Sequence, residues 1–294
     1  MVNLRDLRMR MRAVSQTLQV TSAMNLISTS KLRKGRRALE DTEPYFVRIH
    51  KSVFDLLSSA GKVDSEFFRK PYSEKKSREA VIVITSDKGL AGGYNANIIR
   101  QTKELCETLN NPVLVLVGSI GYRYFMHTPY IILETFSCRS QLPVVDDASQ
   151  IASYIVSQFL WGVFDSIYVV YTHMHSTIKL LPTVNQILPL DADTIQTELS
   201  VMGDVKRVDL KFEFLPSKEE VFDALVPQYI KGIIYGCMVE SYASEQSARM
   251  AAMDEATKSA DEMLAGLQLV CNRVRQAAIT QEMSEIVGGA VALH

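Results

Sequence analysis

Apolar and small residues recur along the last third of the chain with one sustained rhythm. Met253, Ala256, Ala260, Met263, Leu267, Val270, Val274 and Ala277 are spaced 3, 4, 3, 4, 3, 4, 3. That is a heptad seam, which predicts a helix that supercoils against a partner. No proline falls between Gln228 and Val287, and Ala, Met, Glu, Gln and Leu dominate the stretch; all are good helix formers. A helix of that extent would be roughly 90 Å long at about 1.5 Å per residue. The N-terminus repeats the rhythm at Leu4, Leu7, Met11, Val14 and Leu18, and again at Leu32, Leu39, Phe46, Ile49, Val53 and Leu56. Between the two runs the seam passes through Thr21, Asn25 and Ser28, which are small and polar. Pro44 is expected to kink this first helix.

The middle of the chain has a different pattern. Ala80–Thr85 and Val113–Val117 are continuous β-branched or aliphatic runs, as expected for strands buried on both faces. Ile131–Glu134 and Ser166–Thr172 read as further strands, and Asn97–Leu109, Tyr122–Met126 and Asp147–Gly162 as the helices between them. Asp146 or Asp147 is placed to cap the last of these. Thr183–Leu190 follows the fourth strand too closely for a parallel crossover and is predicted to pair antiparallel. The expected fold class is therefore α/β. An antiparallel coiled coil of the N- and C-terminal helices (1–57 and 217–294) carries an inserted three-layer, Rossmann-like α/β domain (78–190). Its sheet has five strands, mostly parallel, with the last antiparallel. Segments 58–77 and 191–216 connect them, the second with a strand-like alternation at Leu210–Leu215. Ser217 and Glu220 form a capping box opening the last helix, which Pro227 is expected to interrupt before the long rod begins.

The chain has 294 residues, 47% hydrophobic and 22% charged, with a net charge of -1. That balance argues against a global nucleic-acid or membrane-surface role. It conceals an asymmetry: residues 1–40 hold nine bases against two acids, and residues 238–294 eight acids against four bases. The two ends are complementary, as paired helices would be. Cys106, Cys138, Cys237 and Cys271 form no CxxC pair and read as free buried thiols of a reducing compartment. No N-terminal apolar segment predicts a signal peptide, and no run of about 18 apolar residues predicts a membrane span.

Candidate chemistry is sparse. The loop Ser86-Asp87-Lys88-Gly89-Leu90-Ala91-Gly92-Gly93-Tyr94-Asn95 joins a strand to a helix, where glycine-rich turns cradle phosphate in some folds. Its spacing fits neither dinucleotide nor P-loop signatures, so a tight structural turn is the simpler reading. His173 and His175 share a strand face but lack a local third ligand for a metal. The basic cluster Lys31, Arg33, Lys34, Arg36 and Arg37 suits a solvated helix face, an acidic protein partner or, least well, nucleic acid. From these residues, a nucleotide-binding enzyme built on the α/β domain and a coiled-coil scaffold or adaptor both stay open.

Four stretches carry a family resemblance. They are Thr21-Ser22-Ala23-Met24-Asn25-Leu26 with Ser30-Lys31-Leu32-Arg33-Lys34, and Thr85 through Asn97. The third is Ser244-Glu245 with Ala248-Arg249-Met250-Ala251-Ala252-Met253. The fourth is Arg275 through Glu282 with Glu285-Ile286-Val287, Gly289-Ala290 and Ala292-Leu293. Together the chain resembles the gamma subunits of rotary F-type ATP synthases of bacterial type over its whole length. It departs from their pattern at Ser22, in place of a usual lysine, at Ser28-Thr29, in place of an alanine pair, at Lys88 for arginine and at Ala91 for cysteine.

The resemblance implies a rotor shaft, without catalytic residues, cofactor or metal of its own. It implies partners too: three alpha and three beta subunits, the epsilon subunit and the c-subunit ring. The complex would lie peripherally on the cytoplasmic face of the cell membrane and couple ion flow to ATP synthesis or hydrolysis. Carried over by position, beta-subunit contacts fall on Met24, Lys31, Arg33, Lys34, Arg36, Arg37, Arg249, Gln276, Thr280 and Glu282. Ala290, Val291, Ala292 and Leu293 would sit in the ring's hydrophobic sleeve. The same resemblance makes the glycine loop a structural turn.

Overall fold

The computed structural model describes residues 4–60, 63, 65–68, 78–137, 142–177, 179–190 and 215–292, without the side chains of 43, 57–60 and 288–292. The elements run α1 (Leu4–Ala60), a single 3-10 turn (Glu66–Phe68), β1 (Glu79–Ile84), α2 (Tyr94–Thr108), β2 (Pro112–Val117) and α3 (Ser119–Phe125). They continue with β3 (Ile131–Phe136), α4 (Val145–Leu160), β4 (Ser166–Met174), β5 (Leu180–Leu188) and α5 (Lys218–Ala292). Most of the two connecting segments, including residues 210–214 of the alternation at Leu210–Leu215, lies outside the described residues, as does Cys138.

The strands form one sheet in the order β3-β2-β1-β4-β5. β1 pairs in parallel with β2 and β4, β2 in parallel with β3, and β4 antiparallel with β5. The short β4–β5 connection leaves no room for a crossover helix, which is why the last strand reverses. β1 and β2 lie in the middle of the sheet with both faces covered, so their side chains are buried almost without exception. Alternate residues feed two cores. Val81, Val83, Leu114, Leu116 and Val170 pack with Ile98, Cys106 and Phe125 from α2 and α3. Ile82, Ile84, Val115 and Ile167 pack with Ile151, Ile155 and Phe159 of α4, with Val53 and Leu56 of α1, and with Phe222, Ile230 and Ile234 of α5. Burying each such side chain contributes about 1.5–3 kcal/mol.

Contacts divide the chain into two compact units: residues 1–29 with 249–294, and residues 30–248. In the first unit, α1 and α5 pack antiparallel along the predicted seam. The Thr21 and Thr257 hydroxyls lie 2.8 Å apart, and the Asn25 side-chain amide donates to the Met250 carbonyl at 3.4 Å. Leu7, Thr21, Ser28, Met253 and Ala260 are buried between the helices. Thr21 and Asn25 thus satisfy polar groups of the partner helix or nearby backbone. In the second unit, Gly232 of α5 lies so close to Phe46 of α1 that a Cβ would fall 2.4 Å from the ring.

Two details depart from expectation. Pro227 does not interrupt the last helix: α5 is continuous from Lys218 to Ala292 with the proline inside it. The surrounding Phe222, Val226, Tyr229 and Ile230 are buried in the core. That packing outweighs the hydrogen bond a proline forfeits, a loss of about 3 kcal/mol. α1 also carries a proline inside it, Pro44, between Leu4 and Ala60. And α4 starts at Val145, so neither aspartate is its N-cap; the Asp147 carboxylate instead reaches back to the Val144 N–H at 3.5 Å. At the start of α5, by contrast, the Ser217 hydroxyl accepts from the Glu220 N–H at 3.2 Å, as its capping role requires.

Candidate functional site

The glycine loop after β1 is built to hold itself. Asn95, on the first turn of α2, accepts the Ser86 N–H at 3.0 Å, and its amide donates to the Ser86 hydroxyl at 2.7 Å. The same hydroxyl donates to the Lys88 carbonyl at 2.8 Å. The Asp87 carboxylate accepts the Ser119 N–H at 2.9 Å, and Thr85 Oγ1 accepts the Gly121 N–H at 3.0 Å. The polar side chains of the loop are spent on tying the β1–α2 turn to the β2–α3 turn. Gly118 is obligatory at that join. Its φ is +93°, and a Cβ would fall 2.2 Å from the Thr85 carbonyl oxygen. Ala91 is fully buried, which accounts for a small residue there.

The two histidines part ways. His173 Nδ1 donates to the Glu240 carboxylate at 2.6 Å. Glu240 begins a polar ladder on the buried face of α5. Its carboxylate accepts the Met174 N–H at 3.1 Å, and the Ser241 hydroxyl accepts the Thr172 N–H at 3.3 Å. The Ser244 and Ser247 hydroxyls donate to the carbonyls of Thr172 at 3.1 Å and Thr177 at 2.7 Å. This stretch of α5 is buried nearly all round, so the end of β4 would be starved of water, and the helix serines replace it. The sequence signal was present, in serines three apart (Ser241, Ser244, Ser247), but it needed knowledge of what the helix packs against.

The candidate partner contacts distribute as follows. On α1, Met24 is half-buried, and its neighbours Leu26 and Ile27 are exposed apolar side chains. Arg33, Lys34, Arg36 and Arg37 are exposed and Lys31 half-buried. Arg37 lies 4.0 Å from Asp41, a pair exposed on both sides that is worth little. Arg33 and Lys34 have no acidic partner among the described residues, so the cluster presents unbalanced positive charge. On α5, Gln276, Thr280 and Glu282 are exposed, and the Thr280 hydroxyl donates to the Gln276 carbonyl at 2.9 Å within the helix. Arg249 is buried within the chain. The side chains of Ala290, Val291 and Ala292, and Leu293 altogether, lie outside the described residues.

One feature of this surface escaped the sequence. In the antiparallel register set by Thr21 and Thr257, the start of α1 at Leu4 falls level with about Val274. Beyond it α5 continues to Ala292. Every described side chain from Arg275 to Val287 is exposed, including Ile279, Met283, Ile286 and Val287. These four continue a helical stripe, and no other helix of this chain covers it among the described residues. Burial already weakens before that point, since the seam residues Met263 and Val270 are exposed. An unpartnered apolar stripe on a regular helix marks a surface that another protein covers.

Among the described residues, no helix is long and apolar enough to cross a membrane, and no cluster of three or more His, Cys, Asp or Glu could hold a metal ion. Comparison with known proteins gives one family. The sequence pattern of the ATP synthase family matches residues 3–293. The ATP synthase gamma chain of Acetivibrio thermocellus is 41% identical over 294 residues, covering both chains completely. That of Ruminiclostridium cellulolyticum is 42% identical over 293 residues, 99% of each. The sodium-ion-specific ATP synthase gamma chain of Acetobacterium woodii is 38% identical over 99% of each. Among solved structures, the fold is similar to a chain of the Euglena gracilis mitochondrial ATP synthase, with a TM-score of 0.65 and 17% identity, covering 99% of this chain and 94% of that one. It is also similar to a chain from the central stalk and c-ring of the Tetrahymena thermophila enzyme, with a TM-score of 0.60 and 24% identity over 81% and 99%. Two antiparallel terminal helices around an inserted α/β domain, and full-length identity of about two residues in five, place the chain in the gamma chain family of ATP synthases.

Proposed function

We propose that this chain is the central rotor shaft of an F-type ATP synthase, turning inside a ring of three alpha and three beta subunits and doing no chemistry itself. The exposed stripe from Ile279 to Val287 on the unpaired end of α5 carries the proposal. It is a surface prepared for a surrounding sleeve, and Ala290, Val291, Ala292 and Leu293 would complete it. A two-helix shaft has no three-fold symmetry, so it cannot meet three beta subunits alike. Each orientation favours one set of ring conformations, and rotation shifts those populations in turn through differential contacts. Gln276, Thr280 and Glu282 towards the free end of α5, and Met24 and Arg249 further down the shaft, would supply contacts with the beta subunits. Lys31, Arg33, Lys34, Arg36 and Arg37 would face acidic segments of beta. The α/β domain would sit at the foot, beside the epsilon subunit and the c ring, whose ion-driven rotation it receives. The complex would hold the chain peripherally at the cytoplasmic face of a bacterial membrane.

The test is assembly. The full chain is mixed with purified alpha and beta subunits, separated by size and assayed for ATP hydrolysis. One copy entering a ring of six and switching on steady hydrolysis is the expected result. A chain that elutes alone, or a self-associated dimer that ignores the ring, would favour a scaffold and overturn the shaft.

A further inference from the structure

The chain passes from β1 to β2 and β3 on one side, then returns to place β4 on the other side of β1. The carboxyl ends of β1 and β4 therefore flank a topological switch point, the position where open α/β sheets hold ligands. A cavity of about 220 Å³ lies there. It is lined by Gly93, Asn97, Thr172, Leu180, Pro182 and Ala248, among others.

Two independent features make it more than a gap. The first is Thr172, two residues beyond Val170 and on the same strand face. It is only 3% exposed. Its N–H and carbonyl are bonded to Ser241 and Ser244, yet its side-chain hydroxyl has no hydrogen-bond partner among the described residues. A valine would fill the same space without burying an unpaired hydroxyl, so the group calls for a ligand or water. The second is the N-terminus of the 15-residue helix α2, whose N-cap is Gly93 and which has no side-chain cap. A glycine offers no side-chain oxygen to the first-turn N–H groups, of which that of Tyr94 is met by the Ala91 carbonyl at 3.2 Å. Asn97 completes the set. Its Oδ1 accepts from Arg100 at 3.4 Å, and its Nδ2 lies 3.5 Å from where a Gly93 Cβ would be. Its donor end thus faces the helix terminus.

Donors converge on the cavity, and none of the described residues that line it is acidic. We infer that this cavity binds a small oxyanion, a phosphate or a carboxylate group, through the Thr172 hydroxyl, the Asn97 amide and the α2 N-terminus. Its volume of about 220 Å³ falls below the roughly 300–1,000 Å³ of pockets that take drug-sized molecules, which suits a small anion better than a whole nucleotide. The site is separate from the stripe on α5 and does not depend on the rotor reading.

The experiment uses the full chain, with inorganic phosphate and acetate titrated separately at constant ionic strength held by chloride. Melting temperature and calorimetric binding are read together. At least one anion raises the melting temperature saturably with one site per chain, and the arm that responds tells phosphate from carboxylate. Thr172→Val, which keeps the shape and removes the hydroxyl, weakens that binding about tenfold or more, as expected for a hydrogen bond to a charged group. Thr172→Ser retains it, separating loss of the donor from any fault in folding. ADP gives no response. The inference fails if neither anion acts at on the order of 50 mM, where a millimolar site would be saturated. It fails equally if Thr172→Val binds like the parent, or if ADP matches phosphate.

Discussion

The double change Ile279→Ser with Ile286→Ser separates the energetics of the chain alone from those of the assembled motor. The two side chains are 52% and 71% exposed on the unpaired end of α5. Serine and isoleucine have similar helix propensities, and neither isoleucine packs in this chain's cores. In the isolated protein the change therefore falls within the about 0.5 kcal/mol typical of surface positions. In the assembly the situation reverses. Full burial of an isoleucine is worth about 1.5–3 kcal/mol, and more than half of that remains to be gained at each position. The pair should cost about 2–4 kcal/mol of association, or about 30- to 800-fold in affinity for the ring. The assay compares urea unfolding of the free chain with its incorporation into alpha–beta rings across a concentration series, followed by ATP hydrolysis. Unchanged unfolding with weakened incorporation is the expected outcome. An unfolding midpoint that drops substantially would show that the stripe is covered within the chain itself. Unaltered incorporation and hydrolysis would show that nothing covers it in the ring, and the reasoning would fail.

Other expectations follow from single sites. Gly118→Ala places a Cβ 2.2 Å from the Thr85 carbonyl at a φ of +93°; it should lose more than about 2 kcal/mol in denaturant titration, beyond the about 1–2 kcal/mol of a left-handed backbone alone, and a loss below 1 kcal/mol would contradict the packing described. Gln276→Ala with Thr280→Ala, both exposed, should leave the melting temperature unchanged while lowering ATP hydrolysis of the assembled complex; equal hydrolysis would remove these two residues from the contact set. Burial, and secondarily the Glu107 charge, pushes the Cys106 thiol up to about 11. The folded state therefore resists forming the thiolate: stability is full below the ordinary thiol value of about 8.5 and declines as pH rises through 9 to 11. At pH 8 an alkylating reagent should label the half-buried Cys271 first and reach Cys106 only on unfolding, which mass spectrometry of partially labelled protein would reveal.

The heptads were legible because periodicity survives without knowledge of the partner. Leu7, Thr21, Ser28, Met253 and Ala260 lie buried where the rhythm put them. The central strands were legible because burial on both faces demands unbroken runs such as residues 80–84. The antiparallel fifth strand followed from connection length alone. What stayed hidden was relational. Pro227 looks like a break until Phe222 and Ile230 are seen holding the helix in a core. The serines of α5 look like ordinary helix surface until β4 ends against them. The free stripe at Ile279 and Ile286 depends on α1 ending level with about Val274, and a single helix cannot reveal where its neighbour stops.

The two ends of α5 show how one helix serves two kinds of surface. Near Ile230, Ile234 and Val239 it is enclosed almost completely. Replacing such a side chain with alanine would cost about 2–5 kcal/mol by the usual cavity cost. Near Thr257 its partner is α1 alone, met through threonines, Asn25 and small residues such as Ala256 and Ala260, so each contact is worth little. Past Val274 it has no partner among the described residues. Stability therefore falls along the helix toward its C-terminus while unmet apolar surface grows. A homodimeric scaffold would need the opposite arrangement, with large apolar residues along the seam to hold two copies together. A shaft needs this one. On the proposed function, its base would be fixed in the α/β core and its tip left for the surrounding ring to cover. A weak seam between base and tip would then cost the assembled motor little, because the ring would supply the confinement that the two helices do not give each other.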